Sequence, residues 1–171
     1  MQNFSKKTLK SYRDKDTWIK VINSCNFDAI EYNKFYNYIG YQFLPKLLHF
    51  EENNNEQKLI LEYIEGKKPT LSHIDSFIRF LSYKIIPAFI EWSRLRKRET
   101  TLHAERPPFN EELWRNEIYF HVDLKLDNFL LTPDKKLYMI DVDSICYTNF
   151  DFFDVILDKI YAEDRKFIKN P

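Results

Sequence analysis

The chain has 171 residues, 44% of them hydrophobic and 17% aromatic, enough apolar material to bury the core of one domain. Its 26 basic and 26 acidic residues cancel, which excludes bulk attraction to nucleic acid or to a charged membrane, so any anionic ligand must be met by local charge. Cys25 and Cys146 make no disulfide framework and lie in no zinc-type spacing, no stretch approaches the roughly 18 apolar residues of a spanning helix, and no signal-like run opens the chain; a soluble, cytoplasmic protein is expected.

Residues 7–22 contain two β-prone runs around Arg13-Asp14-Lys15-Asp16, which predicts a hairpin whose second strand carries Lys20. From Phe27 to Ile39 the apolar positions Phe27, Ile30, Phe35, Tyr38 and Ile39 fall near a helical period that Gly40 ends. After Pro45, LLHFEE and LILEYI flank the polar Asn53–Gln57, as two antiparallel strands and a loop would. The first 65 residues therefore read β-β-α-β-β. Gly66–Thr70 reads as a linker, and Ser72 with Asp75 as a helix-capping pair. Ile74, Phe77, Ile78, Leu81, Ile85, Phe89 and Trp92 then recur at helical spacing, with Pro87 expected to kink or divide the helix and Arg94–Arg98 to close it. Residues 99–112, with Pro107 and Pro108, read as an irregular connection. EIYFHVDL, NFLL and LYMID follow as short buried strands, the last two joined by the turn TPDKK. Asp151 and Asp154 open a final amphipathic segment with Phe152, Phe153, Ile156 and Ile160 on one side.

The chemistry concentrates in HVDLKLDN, from His121 to Asn128, and in Asp141 of IDVD, thirteen residues beyond that asparagine. Magnesium-dependent phosphoryl transfer needs oxygen ligands for the metal and a carboxylate that orients the acceptor hydroxyl, and this pattern supplies both. It resembles the protein-kinase signature H-R-D-L-x-x-x-N and D-F-G, matching at His121, Asp123, Leu124, Asn128 and Asp141 and departing at Val122, Val142 and Asp143. The resemblance implies that Asp123 orients or deprotonates the acceptor, that Asn128 and Asp141 hold Mg2+, and that Lys125 lies near the transferred phosphate, as in the DLK of serine/threonine kinases. His121 would be structural. Asp143 replaces the D-F-G glycine, and the resemblance implies that it caps the following turn, with assistance to metal binding as the alternative. The I-D-x-D sequence there is similar to that of lipopolysaccharide sugar kinases.

The upstream half resembles the smaller lobe of the aminoglycoside and choline kinase-like group. A strand lysine (Lys20), a helix glutamate (Glu31), an apolar-Pro junction (Leu44-Pro45) and a strand ending E-x-x-x-G (Glu62–Gly66) occur in that order. In this resemblance Lys20 neutralises the α and β phosphates of ATP, Glu31 holds Lys20, with Asp28 as a competing acid, and the backbone from Glu62 to Ile64 meets adenine. His49, His73 and His103 have no ligand spacing, and Arg94–Arg98 complements a helix dipole, so neither zinc nor a specific nucleic acid is expected.

Only 19 residues precede Lys20, none of them glycine, which implies a missing first strand or a rudimentary phosphate loop; 30 residues follow Asp141, without an A-P-E sequence. The expected fold is α+β, a single minimal protein kinase-like domain over 1–171 with a small antiparallel-sheet N-lobe (1–65) and a truncated, mainly helical C-lobe (66–171). The expected activity is ATP- and Mg2+-dependent phosphorylation of a hydroxyl, a protein acceptor ranking ahead of a small molecule, with a partner chain or second copy able to complete the lobes. A pseudokinase that binds nucleotide or a partner protein is the alternative, and a kinase-mimicking inhibitor a third.

Overall fold

Two antiparallel strands, β1 (Lys7–Asp14) and β2 (Thr17–Asn23), begin the structure, and Lys15 turns the chain between them in the left-handed region at φ 53°. This is a computed structural model, and it describes residues 7–23, 27–40, 42–53, 56–103, 117–121 and 123–149. The Thr17 hydroxyl donates to the Asp14 carbonyl at 2.7 Å, and the Arg13 guanidinium donates to the Lys15 carbonyl at 2.7 Å, so the polar residues that marked the turn also fasten it. Helix α1 (Ala29–Tyr38) follows, then β3 (Leu47–Asn53) and β4 (Glu56–Glu62). The four strands form one antiparallel sheet in the order β1-β2-β4-β3. The β-β-α-β-β reading of the sequence therefore holds, and the fold class is α+β.

Asp28 caps α1 by accepting from the Glu31 amide at 2.9 Å, which sets the phase of the helix. Its buried stripe is Glu31, Tyr32, Phe35, Tyr36 and, just beyond the helix, Ile39. Ile30, expected inward, is 70% exposed, and Tyr38 is also exposed. Turning Ile30 inward would turn out Tyr32 and Tyr36, whose larger rings bury more apolar area. The Tyr32 hydroxyl finds the Pro45 carbonyl at 2.5 Å, and burial pushes its phenol well above its ordinary pKa. Gly40 leaves the helix at φ 63°.

Contacts divide the chain into two units, residues 1–68 with 129–143 and residues 69–128 with 144–171. In the first, the hairpin β6 (Phe129–Leu131) and β7 (Leu137–Met139) turns at Lys135, φ 62°, as TPDKK foretold. It is stitched in by the Met139 amide on the Phe43 carbonyl at 2.9 Å and by a two-way bridge between Lys67 and Leu131. Phe129 and Met139 are fully buried in it, as are Phe35, Phe43, Leu44, Leu59 and Leu61 of the same unit. Lys67, read as linker, is thus bridged to strand β6.

In the second unit the helical region departs from expectation at two points and meets it at Pro87. Ser72 and Asp75 do not form a capping pair: a 3-10 turn (Leu71–His73) precedes α2 (Ile74–Phe80), and His73, without a side-chain cap, is its first flanking residue. The Thr70 and Ser72 hydroxyls instead meet His73 Nδ1 at 2.9 and 3.3 Å. Pro87 divides the helix through a π-helical turn (Leu81–Ile85), in which the Ile86 amide reaches back to the Leu81 carbonyl, before α3 (Ile86–His103). A wider turn accommodates the missing proline donor and the bulk of its ring. Finally, α3 continues past Arg98 into the stretch expected to be irregular. Phe89 packs on Phe120 and Tyr119 of β5 (Glu117–His121), ring centroids 5.2 and 6.1 Å apart. Strand β5 pairs with β8 (Ile145–Asn149), a strand not anticipated from the sequence. The amphipathic segment expected from Asp151 onward lies outside the described residues, as do Cys25 and Pro107-Pro108.

Candidate active site

In the first unit, Lys20 of β2 meets Asp141 at the end of the hairpin β6–β7. Lys20 lies on β2 with Leu59 and Ser11 as its cross-strand neighbours, and strand alternation puts it on the buried face with Ile22. A lysine on that face needs a counter-charge. Two arrive from the chain leaving β7: after Met139 a 3-10 turn (Val142–Ser144) places Asp141 just before it and Asp143 within it, with the fully buried Val142 between them. The Lys20 ammonium donates to Asp141 Oδ1 and, at 2.5 Å, to Asp143 Oδ1. Burial alone would depress the Lys20 pKa, but the charges of Asp143 and Asp141 and their hydrogen bonds outweigh it and hold it above the ordinary lysine value.

Asp143 was expected as a turn cap; it is a buried ion-pair partner of Lys20. The signal was present in I-D-x-D, since carboxylates two apart around one tight turn can face one cation. What the sequence hid was that Lys20, 123 residues earlier, is that cation.

Glu31 is buried in the first turn of α1, and Asp28, weighed as its competitor, is occupied as the helix cap. Glu62 ends β4 with its amide on the Lys46 carbonyl at 2.8 Å, and the Tyr63 amide takes the Asp16 carbonyl at 3.0 Å. Ile64 follows, half-buried. The Tyr63 ring is covered by the Arg13 guanidinium, 3.9 Å from its centroid, which steadies this segment.

In the second unit, β5 delivers a fully buried His121 to the start of the loop that carries Asp123, Lys125 and Asn128. His121 Nδ1 accepts from the Asp123 amide at 3.2 Å, which supports the structural role expected for this histidine. A 3-10 turn (Leu126–Asn128) brings the buried Asn128 back so that its amide nitrogen donates to the Asp123 carbonyl at 2.7 Å and to Asp123 Oδ2 at 3.0 Å. Lys125 Nζ lies 2.7 Å from the same Oδ2. Burial works to raise the Asp123 pKa, but the hydrogen bonds from Lys125 and Asn128, with the charge of Lys125, hold it below the usual carboxylate value. About half exposed, at 46%, the carboxylate is ionised and open to solvent.

These groups suit magnesium and a nucleotide in their donor chemistry. With its nitrogen committed to Asp123, Asn128 turns an amide oxygen the other way, and Asp141 is a partly exposed carboxylate; hard oxygens of this kind are what Mg2+ takes. Among the described residues no group of three or more His, Cys, Asp and Glu side chains gathers to hold a metal. No described helix is long and apolar enough to cross a membrane. His49 pairs with Glu51 at 3.1 Å on the surface.

No protein-family model and no curated protein sequence matches the chain. Among solved structures it is similar to the PK-1 kinase of the Cydia pomonella granulovirus, with 18% identity, a TM-score of 0.43, and coverage of 81% of this chain and 51% of that one. It is also similar to an aminoglycoside phosphotransferase of Alicyclobacillus acidocaldarius, with 10% identity, a TM-score of 0.47, and coverage of 90% and 68%. A third similar structure is a Streptomyces rimosus aminoglycoside phosphotransferase in complex with ADP and streptomycin, at 13% identity, TM-score 0.39, covering 78% and 67%. The chain spans about half the length of the granulovirus kinase.

Proposed function

We propose that this chain is a phosphotransferase of the protein kinase-like kind. More particularly, it transfers the γ-phosphoryl group of ATP, with Mg2+, to a hydroxyl, a protein acceptor ranking ahead of a small molecule. The observation that carries the reading is the Asp123 carboxylate, kept ionised and fixed by Asn128 and Lys125 on a loop anchored by a buried histidine. An orienting carboxylate needs those properties: charged at neutral pH, immobile, and accessible to an acceptor.

In this reading Asp123 accepts a hydrogen bond from the acceptor hydroxyl, aims it in line with the leaving group and takes its proton as the bond to phosphorus forms. Lys125 exchanges its contact with Asp123 for one with the transferred group. Lys20 neutralises the α and β phosphates, and Glu31 is the acid that the resemblance pairs with it. Adenine is met by the backbone from Glu62 to Ile64. Asn128 and Asp141 are the metal ligands. When bound, Mg2+ offsets the charge that builds on the phosphate oxygens.

Transfer of labelled phosphate from γ-labelled ATP, with a mixed protein acceptor and separately with a panel of sugar and amino-alcohol acceptors, tests the assignment. Asp123→Ala is expected to lower turnover by about 100-fold or more, and Asp141→Ala to abolish the Mg2+-dependent rate. Variants that match the wild type would remove these residues from the site.

A further inference from the structure

Two acids hold Lys20 in the structure, Asp141 and Asp143, both on the chain leaving β7. We propose that Asp143 is the residue that positions Lys20 for the nucleotide phosphates, the role that the kinase resemblance gives to the helix glutamate Glu31. The inference rests on the nucleotide-binding reading above and deepens it.

The two carboxylates on Lys20 differ in what surrounds them. The Asp141 side chain is 27% exposed, whereas that of Asp143 is 4% exposed and that of Lys20 is 9% exposed. A ligand arriving from solvent can reach the Asp141 carboxylate, and as the proposed metal ligand it has another cation to serve. The Asp143 carboxylate is enclosed with the lysine and has no comparable access. Once Asp141 is engaged elsewhere, Asp143 remains to neutralise the ammonium and to fix its direction, and a lysine with three donors keeps others for phosphate. Three connections fix the Asp143 side of the pair. Val142 is fully buried beside it, the 3-10 turn sets its backbone, and the Met139 amide anchors the preceding strand on the Phe43 carbonyl. Lys20 itself is fixed by the β2 pairings to β1 and β4. An acid set by a turn therefore stands where a short interval from Lys20 to α1 makes a helix acid less easily placed.

An acyl-phosphate derivative of ATP, whose activated acyl group passes to a lysine amine lying beside the phosphates, reads this position directly. The full-length protein is labelled with and without competing ATP, and the Lys20 peptide is quantified by mass spectrometry, alongside KM for ATP and kcat. Asp143→Asn keeps the shape and removes the charge. It is expected to lower ATP-competable labelling of Lys20 on the order of 10- to 100-fold, as for a misplaced reacting group, and to raise KM for ATP, with Asp143→Glu recovering part of both. Undiminished labelling in Asp143→Asn, or its loss only in Glu31→Gln, overturns the inference while the nucleotide reading stands. Absence of labelling in the wild type overturns both. Should Asp143→Asn fail to fold, Lys20→Met/Asp143→Asn removes the stranded charge as well. Recovery of melting temperature in the double variant supports the pairing, and a double variant no more stable than the single one overturns it.

Discussion

The Asp123 carboxylate carries two opposing influences on its pKa. Partial burial raises its pKa; the Lys125 and Asn128 hydrogen bonds and the Lys125 charge lower it further than burial raises it. Because the folded value lies below the unfolded one of about 3.9, the stability Asp123 contributes is present above that unfolded value and is lost as pH falls through the folded value. Carboxyl-resolved NMR is expected to show Asp123 titrating below an ordinary aspartate, and Lys125→Met to move that midpoint upward by removing a principal lowering contact. An Asp123 midpoint at or above the ordinary value in the wild type would show that burial wins. Lys20 has the opposite sign. Its raised value means that its contribution is fully present below the unfolded lysine value of about 10.4 and is lost as pH rises through the folded one. Neither group changes charge between about pH 5 and 8, so an activity profile that bends in this window reports something else.

Among the elements, those whose cues were local were legible and those fixed by distant partners were not. The β1–β2 and β6–β7 turns announced themselves through Asp, Lys and Thr at short spacing, and both place a lysine at positive φ, Lys15 and Lys135. The phase of α1 was misread because Ile30 is apolar yet exposed while Glu31 is charged yet buried, a choice made by the ring-bearing neighbours rather than by the helix itself. Strand β8 escaped notice because its reason for existing is the edge of β5, some thirty residues earlier. Two close fits between elements carry predictions. Ser93 of α3 donates to the Phe89 carbonyl at 2.7 Å and accepts from the buried Tyr119 amide of β5 at 2.9 Å. Ser93→Ala strands that amide and should cost about 1–3 kcal/mol in denaturant melts, whereas an indifferent melt would mean that the amide finds another acceptor. Gly66 sits so close to β6 that an added Cβ would lie 2.9 Å from the Leu131 carbonyl oxygen, beside the Lys67 bridge. Gly66→Ala is therefore expected to destabilise by about 1–3 kcal/mol, the range for overpacking, a steric effect. Gly40→Ala has open space around it and a φ of 63°, so its cost of about 1 kcal/mol comes from the backbone alone. Gly40→Asn should recover much of that loss, and Gly66→Asn should not.

Over the whole molecule, the proposed chemistry is divided between residues that bind and residues that act on the acceptor, and the division allows the two to be tested apart. Lys20, Asp141 and the Glu62–Ile64 backbone belong to the unit built from residues 1–68 and 129–143; Asp123 and Lys125 belong to the other, as does the proposed metal ligand Asn128. The motif residues were legible because each sits at a fixed short offset from its neighbours, while the Lys20–Asp143 contact was not, since no local rule joins residues 123 positions apart. A ligand that binds only the native state raises its stability by about 2.7 kcal/mol at a hundred times its dissociation constant. For a chain of this size that is a rise in melting temperature of about 5–10 °C. ATP with Mg2+ is expected to produce such a rise in the wild type and in Asp123→Ala, because the role proposed for Asp123 is toward the acceptor and not the nucleotide. Asp141→Ala should lose the part of the rise that depends on Mg2+, and Lys20→Met most of the rise with or without metal. Phosphate transfer should fall by about 100-fold or more in all three. If Asp123→Ala abolished the thermal shift as completely as Lys20→Met does, the separation of binding from acceptor chemistry would be wrong. A wild type that showed no shift at millimolar ATP with Mg2+ would exclude both the enzyme and the nucleotide-binding pseudokinase.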